Sequence, residues 1–162
     1  MSCTFGYQTF GFTSPSPNVL DLSTVLNTEV GIPNTILTTI GTQLTAALAY
    51  AMHWTYRRLA LIDNAIYLRA VYCLAVDRLL LFGRDPANKS STVFADLRKS
   101  MSLESFQPGV IASSGDDGTT QSFEVAESLR LLTMPDLQNM KTRWGREYLG
   151  YAQQAAPIWG LS

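Results

Sequence analysis

The sequence predicts a mainly α-helical fold: a small helical bundle with an extended N-terminal arm, a long loop and an extended C-terminal tail. Three observations carry that expectation. From Ala46 to Phe82 the chain is rich in Ala, Leu and Met, strong helix formers, and repeats apolar residues at three- and four-residue spacing. Helix punctuation flanks the periodic runs at Gly31-Ile32-Pro33, at Gly83 with Asp85-Pro86, and at Thr133-Met134-Pro135-Asp136. A hydrophobic content of 46% over 162 residues suits one domain with a substantial core. The organisation read from these features is an arm at 1–17, a helical domain at 18–157 with a loop at 105–122, and a docking tail at 158–162.

In the arm, Phe5, Tyr7, Phe10 and Phe12 alternate with small and polar residues, and Ser14-Pro15-Ser16-Pro17 ends any regular element. Such aromatics need a surface, either the chain's own core or a neighbouring subunit. Residues 18–32 allow a short helix through Val19, Leu22, Val25 and Leu26. Asn34 or Thr35 is placed to cap the next helix, although the Thr-rich stretch 34–45 also suits a strand. Leu59, Ile62, Ile66, Ala70, Cys73, Val76 and Leu80 form one apolar stripe. A helix this long calls for a break, expected between Leu59 and Asn64 with Asp63 as cap. The region from Ala46 to Phe82 is expected to be buried on several sides, with Ile66 and Leu74 in the core.

Ser90 or Ser91 is placed to cap a short helix through Val93, Phe94, Leu97 and Met101. Phe123 to Leu132 reads as a further short amphipathic helix. Thr133 opens one carrying Leu137, Met140, Trp144, Tyr148, Tyr151 and Ala155 on a single face as far as Pro157. Ile158, Trp159 and Leu161 then make the tail too apolar for a solvated end. The tail is read as docking on a partner, with packing back onto Trp144 or Tyr148 as the competing reading.

Charged residues make up only 15%, against about a quarter in ordinary globular proteins. Low charge together with apolar ends points to burial in a homo-oligomer. The net charge of −1 gives no bulk attraction to nucleic acid or anionic lipid. No signal peptide is expected from Met1-Ser2-Cys3-Thr4-Phe5, and the uncharged stretch Val30–Tyr56 holds too many polar residues for a membrane span. Cys3 and Cys73 have no metal-ligand spacing, and Cys73 reads as a buried small hydrophobe.

No enzyme is expected. His53, the sole histidine, lies between Met52 and Trp54 without a nucleophile motif and reads as structural. Gly115-Asp116-Asp117-Gly118 matches the Gly-Asp-Asp signature of viral polymerases only in its letters, since Ser, Gly and Thr flank it. It reads as a turn, with Asp116 and Asp117 as loop contacts. Arg57-Arg58 and Lys141/Arg143/Arg146, beside Trp54, Tyr56 and Trp144, are the basic clusters. No phosphate loop occurs, and no cofactor or metal is expected.

A helical centre, a docking arm, a long loop and the stretch from Leu132-Thr133-Met134-Pro135-Asp136 through Trp144-Gly145-Arg146 to Trp159-Gly160-Leu161-Ser162 together resemble virion structural proteins of tailed bacteriophages. The likeness is greatest to the head–tail adaptor (neck or connector) subunits. It implies a ring between portal and tail, portal and tail proteins as partners, nucleic acid only as passing cargo, no membrane, and a place in a virion assembled in the host cytoplasm. A capsid-decorating or coat subunit and a soluble, cytoplasmic bacterial protein-binding module are the alternatives. Phe5, Tyr7, Phe10, Phe12, Ile158, Trp159 and Leu161 are the expected partner-binding residues.

Overall fold

The computed structural model describes residues 16–86, 92–104, 113–116, 119–122 and 133–155. It is mainly helical and consistent with a small helical bundle. Helix α1, Val19–Val25, starts where the Asn18 side chain accepts a hydrogen bond from the Asp21 N–H at 2.8 Å. It continues into a wider π-helical turn, Leu26–Val30, and stops at Gly31, whose φ of +82° favours glycine. Leu22, Val25 and Leu26 point into the core.

Residues 34–54 are helical, which settles the helix-or-strand alternative, but they form two helices. Helix α2 is Asn34–Thr39 and α3 is Gly41–Trp54, parted by Ile40 at φ −98° and ψ 21°. Neither Asn34 nor Thr35 caps α2. Pro33 holds the cap position, and both residues lie inside the first turn. Leu44, Ala47, Leu48 and Ala51 give α3 its buried face.

Helix α4 is a single turn, Leu59–Ile62, and α5 runs from Asn64 to Phe82. Asp63 parts them as expected, its carboxylate accepting from the Ala65 N–H at 2.8 Å. Every residue of α5 from Leu68 to Asp77 is buried, so this helix is the axis around which the others pack. Gln43 exchanges two hydrogen bonds with the Arg84 backbone, at 2.9 and 2.8 Å, so α3 lies antiparallel to α5.

The helical, largely buried region expected from Ala46 to Phe82, with its break between Leu59 and Asn64, is corrected in two ways. The chain leaves helix between Thr55 and Arg58, and Ile62 is exposed while Ile66 is only half-buried. Asp63 is extended, at φ −157°, and one extended residue destroys the helical phase that would align Leu59 and Ile62 with Ile66 and Ala70. Leu74, in contrast, is buried.

Helix α6, Val93–Ser100, is capped from a distance: the Asp85 carboxylate accepts from the Phe94 and Ala95 N–H groups at 2.9 and 3.1 Å. Arg98 returns the favour by donating to the Gly83 carbonyl at 2.8 Å, beyond the end of α5. Ser90 and Ser91, the expected caps, lie outside the described residues, as do Phe123 to Leu132.

The expected long loop 105–122 contains an antiparallel ribbon of β1, Ser113–Asp116, and β2, Thr119–Ser122, with Asp116 opposite Thr119. Asp116 is thus a strand residue rather than a loop residue, and Asp117 lies outside the described residues. An Asp-Gly pair between the strands is a composition that two-residue hairpin connections favour.

The last expected helix is also two. Helix α7 is Met134–Asn139 and α8 is Arg143–Ala155. Thr133 forms the N-cap, exchanging hydrogen bonds with Asp136 in a capping box. The break falls at Met140–Thr142 because the Thr142 hydroxyl starts α8 instead, accepting from the Gly145 N–H at 2.9 Å. Among the described residues, no helix is long and apolar enough to cross a membrane.

Candidate interaction surface

Two buried polar sites fix the frame. Arg69, on the central helix, reaches two carboxylates from distant segments. Its guanidinium pairs with Glu29 through two hydrogen bonds, one of 3.0 Å, and with Glu147 at 2.8 and 3.2 Å. The Trp144 indole N–H donates to Glu29 at 3.3 Å, and the Tyr151 hydroxyl donates to Glu147 at 3.1 Å. The hydrogen bond from Arg69 holds the Glu29 carboxyl below its ordinary range. Burial pushes Glu147 up, but Arg69 and Tyr151 outweigh it and hold Glu147 low as well. One arginine therefore ties the π-helical turn after α1, the central helix α5 and α8 together.

Asp77 is the second site, with 0% of its surface exposed. Its Oδ1 accepts from the Thr142 hydroxyl at 2.6 Å, while Oδ2 has no partner among the described residues. Burial pushes its carboxyl up to about 6, against the opposing pull of Thr142 and the Arg78 charge. A folded-state value raised from 3.8 to about 6 means the native state holds the proton more tightly. The stability from that proton is present at acid pH and lost as pH rises through about 6. A rise of roughly two units corresponds to about 3 kcal/mol. Asp77→Asn is therefore expected to raise the melting temperature at pH 8 by several degrees and much less at pH 4. Thermal melts of both proteins at the two pH values check it.

On this frame the corner after α3 presents an unusual surface. Tyr50 and Trp54 stand one turn apart with ring centroids 6.0 Å apart, and His53 meets the Trp54 ring edge-on at 5.7 Å. The Arg78 guanidinium lies 4.9 Å from the Tyr50 ring centre and 5.7 Å from that of Phe82. The same side chain donates to Asn139 at 3.3 Å. The result is a stripe of Trp54, Tyr50, Arg78 and Phe82 along the line where α3 meets α5. The backbone beneath it is held by the Tyr148 hydroxyl, which donates to the Trp54 carbonyl at 3.2 Å.

Trp54 is 59% exposed and Tyr56 54%, and in α4 Leu59 is buried while Leu61 is 87% and Ile62 58% exposed. A one-turn helix can turn only one of its three large apolar residues inward. Trp, Tyr and Arg are the residue types enriched where protein interfaces gain most of their energy.

The basic clusters behave differently. Arg57 and Arg58 are exposed beside these aromatics. Of the second group, Arg143 stacks 4.9 Å from the Trp144 ring centre and Arg146 donates to the Met140 carbonyl at 2.8 Å, so both are engaged within the fold. His53 is exposed. Cys73 is buried, and burial pushes its thiol well up. Among the described residues, no group of His, Cys, Asp and Glu side chains is arranged to hold a metal ion.

The expected partner-binding residues Phe5, Tyr7, Phe10, Phe12, Ile158, Trp159 and Leu161 lie outside the described residues. Tyr50, Arg78, Phe82 and Leu61 were missed as surface residues. Tyr50, Trp54, Arg78 and Phe82 carry a usable signal, since each pair is separated by four residues on its own helix. Comparison with protein-family models, with characterised proteins and with solved structures finds no match.

Proposed function

We infer that the chain is a non-enzymatic structural subunit of a viral particle, of the head–tail adaptor kind, which self-associates and docks portal and tail proteins. Its site of action would be the virion, built in the host cytoplasm. One observation carries the assembly part of this reading: six large apolar side chains, Tyr50, Met52, Trp54, Tyr56, Leu61 and Ile62, are exposed within one short stretch of chain. A patch of that kind marks an association surface in a soluble domain. The Tyr148 and Arg78 contacts hold part of it in shape before any partner arrives, which lowers the ordering cost of binding. The adaptor assignment rests on the resemblance drawn from the sequence.

Trp54→Ala tests the surface. The side chain is mostly exposed, so the circular dichroism spectrum and melting temperature are expected to stay unchanged. Self-association should weaken by at least tenfold, as expected for loss of an interface tryptophan. Sedimentation equilibrium reads this directly. Association equal to that of the parent protein would remove the corner from the interface.

A further inference from the structure

Two neighbouring side chains of the central helix clasp the joint between α7 and α8. Asp77 accepts from the Thr142 hydroxyl at 2.6 Å, and Arg78 donates to the Asn139 side chain at 3.3 Å. Asp77, Thr142 and Asn139 are all buried. The Thr142 hydroxyl also accepts from the Gly145 N–H at 2.9 Å, so a short chain of donors runs from the start of α8 to Asp77. Asp77 Oδ2 and Arg78 Nε have no hydrogen-bond partner among the described residues.

A buried carboxyl with one free oxygen is tolerable while neutral, but its anion needs a replacement for water. Thr142 and the Arg78 charge supply part of that replacement, and burial outweighs them. Ionisation therefore favours any motion that wets Oδ2. The joint is the part free to move. Helix α7 has six residues, too few to hold its own shape, and it packs mainly on α8. Beyond the joint α8 is fixed independently, because Glu147 pairs with Arg69 and Trp144 donates to Glu29.

Among the described residues, Arg78 is the charge that acts on Asp77. From α7, Asp136 is taken up in the Thr133 cap. From α8, Arg143 lies on the Trp144 ring and Arg146 donates to the Met140 carbonyl. Lys141, in the joint, is half-buried and is not among the groups acting on Asp77. From α3, Tyr50 lies against Arg78.

We propose that Asp77 is a pH-operated latch on the α7–α8 joint. Protonated, it keeps Thr142 seated and the joint closed. Ionised, it draws in water, releases Thr142 and Asn139, and leaves Arg78 without its partner on α7. Arg78 is the cation set against Tyr50 and Phe82, so opening loosens the stripe and weakens assembly as pH rises. That last step rests on the corner being the association surface; the latch itself does not.

Hydrogen exchange read by mass spectrometry on the intact chain at pH 5 and pH 7.5, corrected for the intrinsic effect of pH, tests the latch. The amides of Met140, Lys141, Gly145 and Arg146 report on the joint. Their protection is expected to fall about tenfold from pH 5 to pH 7.5 in the parent protein, while the amides of α5 keep theirs. In Asp77→Asn, which cannot ionise, the fall should vanish. Thr142→Val breaks the clasp from the other side and should leave the joint poorly protected at both pH values, with an unchanged circular dichroism spectrum. No fall in the parent, an equal fall in Asp77→Asn, a fall spread evenly over α5, or full protection in Thr142→Val would each overturn the proposal.

Sedimentation equilibrium at the same two pH values reads the output. Association should be weaker at pH 7.5 in the parent protein, and Asp77→Asn should lose that difference. Association with the same pH dependence in both proteins would cut the link between latch and corner. A parent protein that is monomeric at both pH values would remove the association reading, and the exchange result would still decide the latch.

Discussion

Arg69→Met is expected to destabilise the fold by about 3 kcal/mol, near the low end of what breaking a buried ion pair costs. Methionine keeps most of the packing of the arginine stem. What disappears is the charge that Glu29 and Glu147 share. The two carboxylates are left close together with the Arg69 hydrogen bonds gone, each keeping only the one from Trp144 or Tyr151. Both retain some contact with water, their side chains being 26% and 30% exposed, which keeps the loss from reaching the upper values.

The sign of the pH dependence follows from the lowered carboxyls. Their contribution is present above the unfolded carboxylate range and is lost as pH falls through the folded values. The deficit of Arg69→Met relative to the parent protein should therefore shrink between pH 7 and pH 4. Urea unfolding of both proteins at the two pH values measures it. A loss below about 1 kcal/mol at pH 7 would mean that the triad does not hold the π-helical turn after α1 and helix α8 to the central helix.

Gly145→Ala is the second large effect, expected to cost at least about 2 kcal/mol. Ordinary helix propensity predicts the opposite, since alanine in a helix is favoured over glycine by about 1 kcal/mol. Packing wins here. A Cβ at Gly145 would overlap the Asn139 carbonyl oxygen and come within 2.7 Å of Asp77 Oδ1. Both neighbours are fixed, one as backbone at the end of α7 and the other buried on α5. The methyl group would have to open the α7–α8 corner. Gly150, on the same helix, has open space around its Cβ position. Gly150→Ala should therefore be neutral or stabilise by up to about 1 kcal/mol. Paired chemical denaturation curves separate the two, and equal effects would contradict the close approach at Gly145.

The parts of this fold that were legible in the sequence are those set by neighbours along the chain. Asp63 caps α5 and Thr133 caps α7 because a short polar side chain beside a helical run satisfies free N–H groups in any context. Cys73 is buried because α5 is apolar on most of its circumference and is covered on several sides. Continuity was harder to read. Ile40, the Thr55–Arg58 segment and the Met140–Thr142 break each interrupt a run whose apolar spacing looks unbroken on paper, whereas the break at Asp63 was expected. The extended Asp63 explains why Ile62, placed in one apolar stripe with Ile66 and Ala70, is exposed. The Met140–Thr142 break depends on Thr142 finding Asp77.

Contacts between distant segments left no local trace. Glu29, Arg69 and Glu147 each look like a lone charge on a helix until the fold brings them together. The interaction surface was half legible. Trp54, Tyr56, Arg57 and Arg58 stood out as an aromatic and basic run. That Arg78 would lie against Tyr50, and that Leu61 would face outward, depended on how α3, α4 and α5 pack.

The central claim is that this domain works in an assembly through a preformed apolar corner. Light scattering on the purified intact chain across micromolar concentrations, with Trp54→Ala alongside, tests it most directly. The account predicts one discrete species at an integral multiple of the monomer mass, which Trp54→Ala shifts toward monomer without loss of helix content. A folded monomer of the parent protein at the highest concentration, unchanged by the substitution, would contradict it.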